Sequence, residues 1–169
     1  MDLNPLYKAP NIVSGFNEIN KRDITLTRWR ALKKRILLYM ETDENTVQTG
    51  LITSPLLLFE DEVFKIVSKY DPKMPSRQVP LLDAERCISC LYYLPILPRV
   101  DCISPKCELS NARTKFVCTP ILKLNKIRGN HIFWLDGIDS DLPIISLELA
   151  ESILKRDVMG IKLTPVELE

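Results

Sequence analysis

The sequence is short of glycine, of histidine and of net charge, and each shortage narrows what the chain can do. Its five glycines are scattered singly. No glycine-rich loop exists to cradle a phosphate with backbone N–H groups, so nucleotide and dinucleotide chemistry are not expected. His131 is the only histidine, so any Ser–His or Cys–His catalytic pair must use it, and no G-x-S-x-G surrounds a serine. It follows a turn and opens an apolar run, the position of a strand-edge histidine. The formal net charge is +1. A chain so nearly neutral has no global field to hold nucleic acid or an anionic membrane, and neither is expected as a partner. Long apolar runs are missing too. Pro95 and Pro98 break the greasiest stretch, and nothing approaches the eighteen or so residues of a membrane span. The opening, MDLNPLYKAP, has no apolar core segment of the kind a signal peptide needs. The expectation is a cytoplasmic protein with reduced thiols.

What is present describes one globular domain. The 169 residues are 46% apolar and 27% charged, the balance of an ordinary soluble domain. A chain of about this length buries roughly two-thirds of its unfolded surface, so no disulfide or metal staple is required. Residues 1–22 are polar and carry Pro5 and Pro10, which predicts an irregular segment. Ile24 to Glu41 satisfies both helical and strand spacing, Trp29, Leu32, Ile36 and Tyr39 for the first, Ile24, Leu26 and Ile36 to Met40 for the second. In GLITSPLLLFEDEVFKIVSKYDP, Ser54 reads as an N-cap and Pro55 as the first helical residue. Leu58, Val63, Ile66 and Val67 read as the buried face, and Asp71-Pro72 as the stop.

QVPLL and CISCLYYLPILP read as strands, and TKFVCTPILKLNKI with NHIFWLDG as an antiparallel pair joined through Arg128-Gly129-Asn130. Asp136-Gly137 has hairpin-turn chemistry. The closing LPIISLELAESILKRDVMGIKLTPVEL reads strand, cap at Ser146, helix, turn at Gly160, strand. Glu148 lies in the first helical turn, Leu149, Ile153 and Leu154 face the core, and Lys155 and Arg156 lie near the helix end. The predicted fold is α+β in a single domain, a mainly antiparallel sheet with two or more packed helices. The likeness of the Ser54 and Ser146 segments suggests a weak strand–helix–strand duplication.

Five cysteines fall in one third of the chain, an odd count unlike a secreted disulfide scaffold. Cys87, Cys90, Cys102 and Cys107 have nearly the spacing of a structural zinc site, and a small zinc-binding adaptor module is the alternative reading. Against it, Leu91-Tyr92-Tyr93 follows where a knuckle prefers glycine or a polar residue. In a strand, residues three apart point to opposite faces. Cys118 stands alone in an apolar run. No helix follows Cys90 to lower a thiol pKa, so redox chemistry is not indicated. The expectation is core or incidental thiols, with no metal and no cofactor. Asp136, Asp139 and Asp141 lack the twelve-residue loop and closing glutamate of a calcium site and read as a solvated turn, or an acidic patch for a basic partner. Lys21, Arg22, Arg28, Arg30, Lys33, Lys34 and Arg35 gather around Trp29. That pattern reads first as a solvated face, then as a protein-binding patch.

The segment HIFWLDGIDSDLPIISLELAESILKRDVMGIKLTPVEL resembles the closing part of immunity proteins from bacterial polymorphic toxin systems, in the families numbered eleven and forty-three. The apolar strand is His131 to Trp134, the strand before the cap Ile144-Ile145-Ser146, the helix Ala150 to Arg156, and the final turn Gly160 to Leu163. LYYLPILPRVDCIS is similar to the tyrosine-rich middle strand of those proteins, and SPLLLFEDEVFKIVSKYDP to their earlier helix. The resemblance covers about residues 50–166, and Trp134 departs from it where a basic or small polar residue is the rule. It implies a non-enzymatic cytoplasmic protein that binds a co-encoded toxin and blocks it. It transfers no catalytic residues. By residue type, the candidate partner-binding set is Trp29, Arg30, Trp134, Asp136, Asp139 and Asp141.

Overall fold

The computed structural model describes residues 8–15, 19–107, 120–137 and 143–169. Among them the chain forms β1 (Asn11–Ser14), β2 (Leu38–Glu41), β3 (Leu51–Ile52), β4 (Leu58–Glu60), α1 (Asp61–Tyr70), β5 (Ser76–Asp83), β6 (Ile88–Pro95) and β7 (Arg99–Val100). Then come β8 (Ile121–Leu122), the single turn α2 (Leu124–Ile127), β9 (Ile132–Leu135), β10 (Ile144–Ile145), α3 (Leu147–Leu154) and β11 (Glu167–Leu168). The fold is α+β and mostly sheet, as the residue pattern predicts. Antiparallel pairs predominate, but β2–β5, β7–β9 and β8–β11 are parallel.

The frame is the hairpin of β5 and β6, in register from Ser76 opposite Pro95 to Asp83 opposite Ile88. Around it a six-stranded sheet runs in the order β1-β2-β5-β6-β4-β3. Strand alternation sends Val79 and Leu81 of β5, Tyr92 and Leu94 of β6, and Leu38 and Met40 of β2 to one face, all buried in one cluster with Leu32 and Ile36. The buried Tyr92 hydroxyl donates to the Thr49 carbonyl at 2.7 Å, so the polar end of that ring is satisfied. On the opposite face, α1 and α3 cover only the β4 end. Phe59, Val63, Ile66, Val67, Leu149 and Ile153 form a second cluster there, and the Phe64 ring stacks on Tyr93 at 4.0 Å. A third, smaller cluster holds Cys102, Leu122, Phe133 and Leu135.

Several expectations are corrected. Ser54 does not cap a helix. It precedes a cis peptide bond to Pro55, and Leu58–Glu60 is strand β4. The cause is legible afterwards: Leu58 enters the first cluster and Phe59 the second, and consecutive residues reach opposite cores only in an extended chain. Helix α1 starts at Asp61, with the Glu60 carboxylate accepting from the Glu62 N–H at 2.8 Å, and it ends before Asp71-Pro72 as expected. The Ser54 and Ser146 segments therefore differ in construction. Ile24 to Glu41 resolves into a 3-10 turn at Trp29–Ala31 and then β2. Within the segment expected to be irregular, Asn11–Ser14 forms edge strand β1.

The antiparallel pair expected across Arg128-Gly129-Asn130 does not form. Leu124–Ile127 is a helical turn, β8 pairs with β11, and β9 lies between β7 and β10. Residues 114–119 of that expected strand lie outside the described residues. Ser146 does cap α3, its hydroxyl accepting from the Leu149 N–H at 3.4 Å, and Gly160 takes the positive φ of +75° that its turn demands. Leu154 is exposed rather than core. The last strand contracts to Glu167–Leu168, where Lys106 pairs with Glu169 at 2.8 Å.

Candidate partner-binding surface

The basic segment between Asn20 and Leu37 is held down by local hydrogen bonds and by one long-range cation. The Asn20 side chain accepts from the Arg22 N–H at 3.1 Å. Asp23 pairs with Arg28 at 2.9 Å, and the Thr25 carbonyl accepts from the Trp29 N–H at 2.9 Å. These turns place Trp29 over the first face of the sheet, half-buried against its cluster. Arg77 of β5 comes up from beneath. Its guanidinium carbon is 4.5 Å from the indole centroid, and its Nη2 donates to the Trp29 carbonyl at 3.3 Å. The Arg77 Nε is buried without a hydrogen-bond partner, so the π-face of Trp29 is its main compensation on that side. Arg30 stands 5.9 Å from the same ring. The indole is thus fixed in one pose before any partner arrives, the condition under which an aromatic anchor binds without a large ordering penalty.

Beside it lies a cavity of about 200 Å³ with an apolar floor of Ile19, Leu32 and Ile36 and a mouth carrying Asp23, Lys33 and Arg35. Gly15 forms part of its wall. A Cβ there would sit 2.6 Å from the Leu37 carbonyl oxygen, and its φ of +90° suits glycine alone. A depression of this size with mixed charge at its lip suits one inserted side chain rather than a cofactor.

The remaining members of the expected set lie elsewhere. Trp134 sits on β9, half-buried against the second cluster, with its N–H donating to the Pro98 carbonyl at 2.8 Å. Asp136 is exposed at the following turn, opened by Gly137 at a φ of +78°. Asp139 and Asp141 lie outside the described residues. Trp29, on a 3-10 turn with Arg30, thus packs on the first cluster, whereas Trp134, on β9 just before Asp136, packs on the second. Arg77 and Asp23, which complete the first group, carry no local sequence signal. Arg77 joins only through its register opposite Leu94, which turns it to the Trp29 face.

The cysteines do not converge. Cys87 is exposed in the turn before β6, at a φ of +55°. Cys90 points inward, 3.9 Å from the Met40 sulfur, and burial, with a smaller contribution from the Glu60 charge, pushes its thiol up to about 11. Cys102 is fully buried in the third cluster, and burial raises its pKa as well. Cys107 accepts from the Ile121 N–H at 3.0 Å. Among the described residues no group of three or more His, Cys, Asp or Glu side chains is placed to hold a metal ion. Cys118 lies outside them. His131 does meet a serine, its Nδ1 3.0 Å from Ser146 Oγ, yet that hydroxyl is the α3 cap. The Tyr70 ring meets the imidazole edge at 5.1 Å, and its hydroxyl donates to the Glu148 carbonyl at 2.9 Å. The group ties α1, α3 and β9 together.

Among the described residues no helix is long and apolar enough to cross a membrane. Compared with protein-family models, with curated proteins and with solved structures, the chain finds no match in any of the three.

Proposed function

We propose that this protein is a cytoplasmic immunity protein, which binds the cognate toxin of a bacterial polymorphic toxin system and neutralises it by occupation, with no chemistry of its own. The sequence resemblance over about residues 50–166 motivates the reading. The stretches that carry the resemblance form helix α1, strand β6, and the strand, capping serine, helix and glycine turn between His131 and Gly160. The observation that carries the interface is Trp29, held at 4.5 Å by Arg77 with Arg30 5.9 Å from its ring, two residues before Ala31 of the cavity wall. Tryptophan and arginine dominate binding hot spots, and a preordered pair beside a pocket is the arrangement such spots take. Trp134 and Asp136 form a separate, secondary contact in this proposal.

The test is co-expression with the toxin encoded next to this chain. A tagged copy should retain that toxin through purification, and cells expressing the toxin should survive only with this protein present. Trp29→Ala should weaken the complex on the order of a hundredfold and abolish rescue. Because Trp29 also packs on the core, Arg30→Glu serves as the surface control, with an expected loss of tenfold or more. Absence of binding and of rescue for the wild-type protein overturns the reading.

A further inference from the structure

The near-neutral net charge conceals a segregation. Residues 21–35 hold seven of the chain's 23 Lys and Arg residues but one of its 22 Asp and Glu residues, which leaves 16 cations against 21 acids elsewhere. All seven cations are exposed. They gather about the cavity floored by Ile19, Leu32 and Ile36. Lys33 and Arg35 line it, and Arg28 is tied to Asp23 of its wall at 2.9 Å. Lys21 and Arg22 lie on the 3-10 turn that follows Asn20 of the wall, and Arg30 precedes Ala31 of the wall. A buried apolar floor is thus ringed by one sign of charge on a chain whose remaining residues carry the opposite excess.

Floor and rim together select the occupant. The three floor residues are buried and apolar, so the cavity takes an apolar side chain and penalises a charged one. The rim attracts anionic groups that flank that side chain. A cation is disfavoured, because Arg28 already answers the one acid of the segment, Asp23, and Lys33 and Arg35 stand at the mouth. A nucleic acid would meet the same cations but no stacking platform. Single strands are held by phosphate contacts together with open aromatic faces. Trp29 is the sole aromatic of residues 21–35, it is half-buried, and the Arg77 guanidinium lies 4.5 Å from its ring centroid. We infer that this face docks an acidic protein segment with one large apolar side chain, which enters the cavity while neighbouring carboxylates meet Lys33, Arg35 and the cations around them. The acid excess on the rest of the chain repels the same segment, so the field steers it to this one face. The inference deepens the interface reading above and rests on it, since both use this cavity; the docking segment of the toxin is then acidic.

The experiment needs no toxin. Fluorescence anisotropy of the full chain is measured with four labelled probes. They are a ten-residue peptide of glutamates around a central phenylalanine, the same peptide with serine for phenylalanine, the same with lysine for every glutamate, and a twelve-nucleotide oligothymidylate. The glutamate–phenylalanine peptide should bind about tenfold or more tightly than its serine counterpart, the effect of burying one large apolar side chain. The lysine peptide and the oligothymidylate should bind at least about tenfold more weakly than it. The double variant K33E/R35E should weaken binding of the glutamate–phenylalanine peptide about tenfold or more, and K33Q/R35Q by less. K126E/K155E changes the net charge as much as K33E/R35E does, at exposed lysines of α2 and of the α3 end, and should leave binding within about twofold. Circular dichroism spectra matching wild type certify each variant. No binding of the glutamate–phenylalanine peptide overturns the inference, as does equal binding of the serine peptide or tighter binding of the oligothymidylate. So does a loss in K126E/K155E equal to that in K33E/R35E, which would reduce the effect to net charge. Any of these leaves the co-expression and rescue test of the toxin reading standing, and a failed rescue beside selective peptide binding overturns the toxin alone.

Discussion

Asp83 shows how one side chain can join two elements and set an acid limit on the fold. Buried at the end of β5, its carboxylate accepts from the Thr42 hydroxyl at 2.5 Å and the Thr42 N–H at 3.0 Å, and on its other oxygen from the N–H groups of Glu85 at 3.1 Å and Arg86 at 3.0 Å. The Thr42 hydroxyl, then the Arg86, Thr42 and Glu85 N–H groups, hold its pKa below the usual carboxylate range. A group whose folded pKa is lowered contributes stability above its unfolded value, about 4, and loses it as pH falls through the folded value. Asp83→Asn is therefore expected to lower the thermal midpoint at neutral pH and to flatten the decline below about pH 4. Melts from neutral to strongly acid pH check this, and parallel curves for the two proteins would falsify it. The thiols differ as sharply. With Cys90 pushed up to about 11, iodoacetamide near neutral pH should modify exposed Cys87 at least tenfold faster than Cys90 or Cys102, read residue by residue by mass spectrometry. The strand reading of CISCLYYLPILP holds for Cys90, which packs against the first cluster, but not for Cys87, which is exposed in the turn before β6; Cys102, beyond that stretch, is buried in the third cluster. Neither the Asp83–Thr42 bond nor Arg77 beneath Trp29 was legible, because both depend on which strands become neighbours.

Among elements, several were read correctly from sequence: α3 behind Ser146, the end of α1 at Asp71-Pro72, and β5 and β6 as strands, though not their pairing as a hairpin. The failures have two causes. Leu56 to Phe59 is apolar at every position, so periodicity could not separate a helix from a strand buried on both faces. The expected pairing of residues 114–127 with 130–137 was lost to longer-range partners, β11 for β8 and β7 and β10 for β9. One junction among elements rests on a glycine that sequence alone does not single out. Gly50 accepts from the Glu60 N–H at 3.0 Å and donates to the Met159 carbonyl at 2.9 Å, and a Cβ on it would lie 2.1 Å from Val158 Cγ1. It lets the segment after α3 close onto β3 and α1. Gly50→Ala is expected to destabilise by about 1–3 kcal/mol in urea titration. Val158→Ala clears the space, so the double variant should be less destabilised than the sum of the singles by at least about 0.5 kcal/mol. Additive losses would mean that the close approach is not the cause.

For the whole molecule, three apolar clusters hold the described residues together, and Cys90 and Cys102 contribute to them as packing atoms. Prolonged treatment with a chelator should leave the thermal midpoint within about 1 °C of its starting value, whereas a fold organised by zinc collapses when the metal is withdrawn. The α+β class was readable from the mixture of short strands and two amphipathic helices. The order of the strands was not, and it has a kinetic consequence. The eight-pair β5–β6 hairpin is closed by a short turn, but β2 reaches β5 only across about forty residues, with Leu38 opposite Leu81. The hairpin is therefore expected to belong to the rate-limiting nucleus, with β2 docking and Thr42 latching onto Asp83 after the barrier is crossed. In stopped-flow chevrons, Leu94→Ala should then act mainly by slowing refolding, and Met40→Ala mainly by speeding unfolding. The six-stranded sheet would in that case grow outward in time from its middle, leaving the β1–β2 side as the last part made and the first to come undone.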